Sequence, residues 1–325
     1  MYKIVSDSAC DLSKEYLEKH DVTIVPLSVS FDGETYYRDG VDITRDECYQ
    51  RMVDDPKLFP KTSLPSVESY ADVFRSFVEQ GFPVVCFTIT TLFSGSYNSA
   101  MNAKSLVEED YPDANICVID SKQNTVTQAL LIDQFVRMLE DGLSFEQAMS
   151  KLDALMASAR IFFTVGSLDY LKMGGRIGKV ATAATGKLGV KPVIIMKDGD
   201  IGLGGIGRNR NKLKNSVLQV AKKYLDENNK DNFIVSVGYG YDKEEDNLLT
   251  EDEKSRLLTA GFEYAQNVKI PVGEKYAENY LILKPLEMPD GKWILPVRVG
   301  TTNDKVGSDA EENWIKLTVV KGSLD

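Results

Sequence analysis

The stretch PVVCFTITTLFSGSYNSA, residues 83–100, decides the fold that this sequence predicts. Its first half, Pro83 to Ile89, is an almost unbroken apolar run of strand length, which is typical of a strand buried in a parallel sheet. Its second half opens a helix at Ser96, so Ser94 and Ser96 project from the carboxyl end of the strand. Ligands bind at that end in open α/β sheets, and we therefore expect a site there.

Outward from this stretch, strand and helix patterns alternate through residues 1–159, as in a parallel sheet with helices on both faces. Among them we predict one strand from Val22 to Phe31 that turns at Asp32-Gly33, and helix caps at Ser66 and Ser144. From residue 160 onward the strands are joined by hairpins, one with its turn at Asp198-Gly199, which indicates a mixed or antiparallel sheet. We predict a two-domain α/β protein. Residues 1–159 form an α/β/α domain that carries the Thr62 and Ser94 loops, and residues 160–325 form an α+β lid domain.

Composition excludes several classes of partner. The chain has 325 residues, 43% of them apolar, and a formal net charge of −11, which disfavours nucleic acid and anionic membrane surfaces. No apolar run reaches the length of a membrane span, and the N-terminus enters a strand directly rather than a signal segment. We expect a soluble cytoplasmic protein without an integral membrane segment.

Cysteine and histidine usage narrows the chemistry. The four cysteines are scattered without a C-x-x-C pair, which favours reduced thiols over disulfides or zinc ligands. The single histidine, His20, stands near the end of the first predicted helix. A Ser-His-Asp triad would have to use it, and a site with several histidine ligands is impossible. We expect no metal site and no catalytic residue.

Two hydroxyl-rich segments each precede a predicted helix, KTSLPS at residues 61–66 and LFSGSYNSA at residues 92–100. N–H groups at a helix start, joined by Ser and Thr hydroxyls, form a neutral cradle for a carboxylate or phosphate. The alternative is that these residues are plain helix caps. Two such segments favour a site, and the candidate ligand-binding residues are Thr62, Ser63, Ser94, Gly95 and Ser96.

The sequence contains no convincing nucleotide-binding motif or nucleophile elbow. GLGGIG, residues 202–207, matches G-x-G-x-x-G, but it follows a hairpin strand rather than the first strand of a βαβ unit, so we reject a dinucleotide site. No Walker-type phosphate loop occurs, and in FSGSYNSA the residue Phe93 replaces the first glycine of a nucleophile elbow. We expect no cofactor.

Three arginines are candidates for anion recognition. Arg176 follows two glycines in MGGRIG, where close backbone approach would let its guanidinium reach a carboxylate or phosphate. Its alternative role is a surface salt bridge. Arg208 and Arg210 stand at the start of a long predicted helix, where an acidic partner surface and a solvated basic turn are equally compatible with them.

Five segments in order resemble the DegV family, to which the fatty-acid-binding subunits of bacterial fatty acid kinase belong. They are VSDSACDLS at 5–13, KTSLPS, FSGSYNSA, LKMGGRIG and GRNRNK at 207–212. The resemblance implies a carrier rather than an enzyme. It further implies that the two halves enclose the acyl chain of a fatty acid or other long-chain lipid in a tunnel between them, and that a separate ATP-dependent kinase subunit phosphorylates the carboxylate.

By matching position, the resemblance implies that Thr62 and Ser94 donate hydroxyl hydrogen bonds to the carboxylate. Gly95 and Ser96 supply backbone N–H groups. Arg176 and Arg208 match basic positions of the family, which implies a role in the electrostatics of the head group or in docking of the kinase partner. Arg210 is a further candidate for docking.

The chain departs from the family pattern at its C-terminal end. Family members of the fatty-acid-binding type carry a histidine in an H-x-G-P-G turn, whereas this chain has PVGEKYAENY at residues 271–280 and an atypical extension over 274–325. The carboxylate contact from that side is therefore either lost or remade, with Lys275, Tyr276 and Tyr280 as candidates. Two further alternatives stay open: an acyl hydrolase with Ser94 or Ser96 as nucleophile, and a regulatory protein that has lost ligand binding.

Overall fold

The computed structural model describes residues 2–55, 57–165, 168–178, 180, 191–208, 210–227, 286–287, 292–298 and 314–320. Contacts divide the chain into two compact units, Met1–Val217 and Leu218–Asp325. The first unit contains one parallel and two antiparallel sheets, and the predicted fold class is confirmed. The domain boundary placed between residues 159 and 160 stays a prediction.

Strands and helices are each numbered in chain order. The strands are β1 (Lys3–Asp7), β2 (Val22–Val25), β3 (Ser28–Ser30), β4 (Tyr37–Arg38), β5 (Lys61–Ser63), β6 (Val84–Thr88), β7 (Ile116–Asp120), β8 (Ile161–Thr164), β9 (Lys191–Lys197), β10 (Asp200–Gly207), β11 (Leu286–Glu287), β12 (Lys292–Arg298) and β13 (Trp314–Val320). The helices are α1 (Lys14–His20), α2 (Arg45–Asp54), α3 (Val67–Val78), α4 (Ser96–Asp110), α5 (Thr125–Glu140), α6 (Phe145–Ser158), α7 (Asp169–Met173) and α8 (Arg210–Glu227).

The central sheet of the first unit is parallel, in the order β2-β1-β6-β7. Every residue of β6 is buried, as its apolar sequence predicts for a strand covered on both faces. Cys86 packs in one core cluster with Tyr70 and Phe74 of α3. The next side chain, Phe87, points to the opposite face, where its ring centroid lies 5.4 Å from that of Phe135 in α5. Helices therefore cover both faces of the sheet.

The predicted continuous strand from Val22 to Phe31 is wrong. The structure divides it into β2, which pairs with β1, and β3, which pairs antiparallel with β4 and β5 in a second sheet. Pro26 lies between the two strands and has no N–H to donate to a sheet ladder, which accounts for the break. After β3, Asp32 Oδ1 accepts hydrogen bonds from the backbone N–H groups of Glu34 and Thr35, both at 2.8 Å. The returning strand, β4, therefore begins only at Tyr37.

The third sheet has the antiparallel order β10-β9-β8. The predicted turn at Asp198 and Gly199 is confirmed, and both residues have positive φ, 52° and 84°. The glycine motif GLGGIG lies within β10, with a register shift between Leu203 and Gly205. These glycines belong to an antiparallel hairpin, as predicted, and not to the first strand-to-helix turn of a βαβ unit.

Helix caps follow the sequence closely. Ser66 Oγ accepts a hydrogen bond from the N–H of Ser69 at 3.1 Å and caps α3. A capping box forms at the start of α6 between Ser144 and Gln147.

The second unit contains an antiparallel sheet in the order β11-β12-β13. The candidates Lys275, Tyr276 and Tyr280 lie outside the described residues. None of the helices that the structure describes is both long and apolar enough to cross a membrane.

Candidate ligand site

The two hydroxyl-rich segments lie side by side, although about thirty residues separate them in sequence. Ser99 Oγ, in α4, donates a hydrogen bond to the carbonyl of Pro65 at 2.8 Å. A Cβ atom placed on Gly95 would lie 3.4 Å from Leu64 Cδ2. The start of α4 and the end of the Thr62 segment therefore meet at one place.

Thr62 belongs to β5 and is exposed, as is Ser63. The backbone of β5 pairs with β3, where Thr62 lies opposite Val29 and Ser63 opposite Ser28. Ser63 Oγ turns toward the carbonyl of Leu64 at 3.4 Å. Among the described residues, no hydrogen bond uses the Thr62 hydroxyl. Of the two, Thr62 is the side chain with a donor to offer.

The Ser94 loop forms a tight turn after β6. The N–H groups of Phe93 and Ser94 both donate to the carbonyl of Thr90, at 3.0 and 3.2 Å. Ser94 Oγ accepts a hydrogen bond from the N–H of Ser96 at 3.2 Å and lies 2.8 Å from Ser96 Oγ. Ser96 is fully buried, whereas Ser94 is half-buried. The Ser96 N–H is therefore bound within the loop, and Ser94 is the hydroxyl at the surface.

Gly95 is the N-cap residue of α4 and has no side chain to cap the helix. Within the described part of the chain no hydrogen bond takes its N–H. The start of a 15-residue helix carries partial positive charge, and an uncapped N–H there favours an anion. Gly95 thus presents a neutral donor next to Ser94, and Thr62 lies in the adjoining segment.

Arg176 is bonded to the Ser94 loop. Its Nε donates to the carbonyl of Phe93 at 2.9 Å, and its Nη1 donates to the carbonyl of Gly174. Gly175 before it has φ 74°, a backbone conformation that favours glycine. The exposed Arg176 side chain is therefore bonded to the loop that carries Ser94.

The other two arginines are placed less fully. Arg208 is exposed directly after β10. Arg210 is the first residue of α8, and its side chain lies outside the described part of the structure. No described contact joins either arginine to the Thr62 and Ser94 segments.

Exposed apolar side chains surround the two segments. Leu64 is 43% exposed beside Gly95, and Leu92 is 60% exposed in the Ser94 loop. The ring of Tyr170, in α7, lies 5.1 Å from that of Phe59, which precedes β5. Uncharged donors with an apolar surround suit a ligand that has a polar head and a hydrocarbon tail.

A buried carboxyl group lies at the same edge of the sheet, and sequence reasoning missed it. Asp7, at the end of β1, accepts hydrogen bonds from the Ile89 N–H at 2.8 Å and from Gln128 Nε2 at 3.0 Å. Burial raises the pKa of Asp7 from 3.8 to about 6, against the opposing effect of these hydrogen bonds. The signal available in the sequence was an acid at the end of a predicted strand.

The described residues do not supply the chemistry of a hydrolase or a metal site. The hydrogen bonds that the structure describes for the Ser94 side chain are with Ser96, and neither residue contacts a described base. His20 Nδ1 lies 2.9 Å from Glu140 Oε1, and its ring stacks on that of Tyr16. No group of three or more His, Cys, Asp or Glu side chains in the described ranges has the arrangement to hold a metal ion.

An open α/β sheet with uncharged donors at its carboxyl edge is the architecture of a small-molecule-binding protein. The chain belongs to the DegV family, because the model of the family described as "Uncharacterised protein, DegV family" matches residues 1–263. The resemblance noted in the sequence is confirmed.

Individual proteins similar to this chain include further DegV family members and proteins described by the fatty acids they bind. A DegV domain-containing protein of Staphylococcus aureus is 32% identical over 238 residues, which cover 73% of this chain and 81% of that protein. A crystal structure of a stearic-acid-binding protein from Eubacterium ventriosum is 95% identical, with a TM-score of 0.77, and the match covers 79% of this chain and 88% of the other. A DegV family protein from Thermus thermophilus, described by its fatty acid binding, is 29% identical with a TM-score of 0.63, covering 71% and 79%. The solved relatives are described as binding proteins.

Proposed function

We propose that this protein binds a long-chain fatty acid and holds the carboxylate with the hydroxyls of Thr62 and Ser94 and the N–H of Gly95. The approach of the two segments carries the proposal, because the residues that follow Thr62 contact the start of the helix that carries Ser94 and Gly95. The stearic-acid-binding relative, 95% identical over most of this chain, supports the choice of ligand.

In this proposal the hydrocarbon chain occupies a tunnel between the parallel sheet and the β8–β10 sheet of the first unit. The exposed side chains of Leu64 and Leu92 support that location, since they border the donors. A sixteen-carbon tail buried at about 0.8 kcal/mol per methylene would contribute on the order of 10 kcal/mol before the losses of association. The tail then supplies affinity, and the head group sets the position of the ligand.

Arg176 has a supporting role. A guanidinium bonded to the Phe93 carbonyl adds positive potential beside the neutral donors without occupying them. Ser63 and Ser96 are the remaining residues of the proposed ligand site. Ser63 is next to Thr62 in β5, and the buried Ser96 is hydrogen-bonded to Ser94.

The first experiment is denaturing mass spectrometry of protein purified under native conditions, which should release a bound fatty acid. The second is titration of delipidated protein with stearic acid. Thr62→Ala and Ser94→Ala should each weaken binding about tenfold or more, because each removes a hydrogen bond to a charged group. Ser150→Ala, on the exposed surface of α6, is the matched control and should bind as the wild type. Lipid-free protein that also rejects added fatty acids would support the reading of a regulatory protein instead.

We further propose that the protein is a carrier that presents the carboxylate to a separate ATP-dependent kinase subunit. The family resemblance and the exposure of Arg208 support this step. With such a kinase and ATP, the bound fatty acid should be converted to an acyl phosphate. Arg208→Glu, alone or with Arg210→Glu, should slow that conversion while leaving the affinity for fatty acid unchanged. Equal conversion by wild type and variant would show that these arginines are not part of the docking surface.

A further inference from the structure

The Ser94 and Ser96 hydroxyls share one hydrogen bond, and its direction decides what Ser94 offers a ligand. Their oxygen atoms are 2.8 Å apart, and Ser94 Oγ also accepts the Ser96 N–H at 3.2 Å. A hydroxyl has one proton to donate. If Ser94 donates to Ser96, it presents only lone pairs to a carboxylate, which repels them. If Ser96 donates to Ser94, the Ser94 proton is free for the ligand.

Ser96 lies on the buried stripe of α4. Ser96, Ala100 and Ala103 are all completely buried, and their spacing places them on one face of the helix. Tyr70 of α3 packs in the same core cluster as Ala100 and Ala103. The face of α4 that carries Ser96 is therefore the face toward Tyr70.

Among the described residues, the buried Tyr70 hydroxyl has no partner within hydrogen-bond geometry. The Tyr70 side chain is 0% exposed, and none of its contacts within the described ranges meets ordinary hydrogen-bond geometry. Ser96 is nevertheless close to this hydroxyl: burial raises the pKa of Tyr70, and Ser96, as a hydrogen-bonding neighbour, lowers it by a smaller amount. An unpaired buried hydroxyl is unfavourable by about 1–3 kcal/mol, so a small rotation that lets Tyr70 donate to Ser96 is favoured.

Tyr70 keeps its proton under all ordinary conditions. Burial raises its pKa far above the usual value, and the neighbouring groups Cys86 and Asp7 act in the same direction. A phenol that stays protonated is a permanent donor. Ser99 cannot pass a hydrogen bond on to Ser94, because its one hydroxyl proton is donated to the carbonyl of Pro65.

We propose that Tyr70 and Ser96 are positioning residues that form a hydroxyl relay, in which Tyr70 donates to Ser96, Ser96 donates to Ser94, and Ser94 donates to the ligand. The relay rests on the proposed function, since it assumes that Ser94 contacts the head group. Each hydrogen bond in such a chain polarises the next, and all three protons point toward the ligand. The relay therefore selects a head group that only accepts hydrogen bonds, a carboxylate, over a head group that also donates one, such as an alcohol.

The test compares two ligands that share a tail, stearic acid and octadecanol, on the full-length protein. The dissociation constant of octadecanol divided by that of stearic acid isolates the contribution of the head group, because a general loss of structure weakens both ligands alike. A weaker grip on the carboxylate lowers this ratio. Tyr70→Phe should weaken stearic acid about fivefold to tenfold and change octadecanol less than twofold. Ser96→Ala should lower the same ratio at least as much. Tyr70→Phe retains the ring and the core packing, so it is the variant that keeps the test interpretable.

Tyr16→Phe is the matched control. Tyr16 is also buried, but its hydroxyl donates to Asp133 Oδ1 at 3.1 Å, away from the two segments. This variant should lose stability and keep the wild-type ratio. An unchanged ratio in Tyr70→Phe, with Ser94→Ala lowering it, would overturn the relay and leave the proposed function standing. Failure of the wild type to bind stearic acid, or an unchanged ratio in Ser94→Ala, would overturn the proposed function and the relay with it.

Discussion

Thr90 and Gly199 are joined across 109 positions of the chain: the Thr90 hydroxyl donates to the Gly199 carbonyl at 3.2 Å. Thr90 is the residue whose own carbonyl holds the Ser94 turn. The contact therefore places the β9–β10 hairpin directly against the candidate ligand site, within the first unit.

Gly199→Ala should be strongly destabilising. A Cβ at this position would lie 2.4 Å from Thr90 Oγ1, and the φ of 84° is itself unfavourable for alanine. Backbone strain and overpacking together should lower the free energy of unfolding by about 2–4 kcal/mol, measured by urea denaturation. Gly142→Ala has nearly the same φ, 86°, but no atom within 4 Å of the added carbon. It should lose about 1 kcal/mol, and equal losses in the two variants would contradict the close contact.

Asp7→Asn should flatten the dependence of stability on pH. The pKa of Asp7 is about 6 in the folded protein, whereas the unfolded chain has the ordinary value of 3.8, so the folded protein binds the proton more tightly. Its contribution to stability is present below pH 4 and is lost as the pH rises through 6, by up to about 3 kcal/mol. Chemical denaturation at about pH 4.5 and 7.5 should show a smaller decrease in the variant than in the wild type.

Two other aspartates serve as comparisons for the effect of Asp7→Asn. Burial likewise raises the pKa of Asp11 to about 6, so part of the decrease should persist in Asp7→Asn. Backbone hydrogen bonds lower the pKa of exposed Asp32, which is therefore ionised in folded and unfolded chains above pH 4.5. Asp32→Asn should leave the decrease unchanged, and a wild type whose stability rises between these pH values would refute the assignment of Asp7.

Arg176→Gln should weaken stearic acid binding and reduce its sensitivity to salt. The substitution removes both the charge and the hydrogen bond to the Phe93 carbonyl. Because the guanidinium is exposed, we expect an effect of about tenfold or less, measured at about 50 and 500 mM salt. Lys151→Gln, an exposed change on α6, is the charge-matched control. The same affinity and salt dependence in both variants would show that Arg176 has no part in binding.

Leu64→Ser should weaken long fatty acids more than short ones. Leu64 is 43% exposed beside Gly95, and we expect the tail to cover it. Loss of this apolar contact should reduce the affinity several-fold for stearic acid and little for octanoic acid. Val41→Ser changes a side chain that is 60% exposed after β4 and should affect neither. A uniform effect on both chain lengths would place Leu64 away from the tail.

Local signals in the sequence predicted much of this fold. The caps at Ser66 and Ser144, the buried strand after Pro83 and the turn at Asp198 each depend on neighbours within a few residues. Such features are decided by the chemistry of short segments, so one sequence suffices to place them. The approach of the Thr62 segment to the Ser94 segment could not be placed in this way, because β5 belongs to an antiparallel sheet with β3 and β4 rather than to the parallel sheet.

Long-range relationships were not predictable in this way. Gln128 donates to Asp7 across 121 positions, and nothing near Asp7 in sequence shows that its carboxylate is buried. The unpaired hydroxyl of Tyr70 likewise emerges only when α3 and α4 pack together, because the tyrosine alone reads as an apolar member of a helix face. The break at Pro26 was a local signal that the prediction overlooked.

The hydrogen bond from Ser99 to Pro65 has a consequence for the rate of ligand capture. It ties the segment after β5 to α4, so the distance between the two donor segments is determined by how α3 and α4 pack. An arriving acid then finds its contacts already assembled and loses little entropy in ordering them. Uptake should accordingly be governed by how the tail enters, and exchange of one fatty acid for another by how fast the tail leaves.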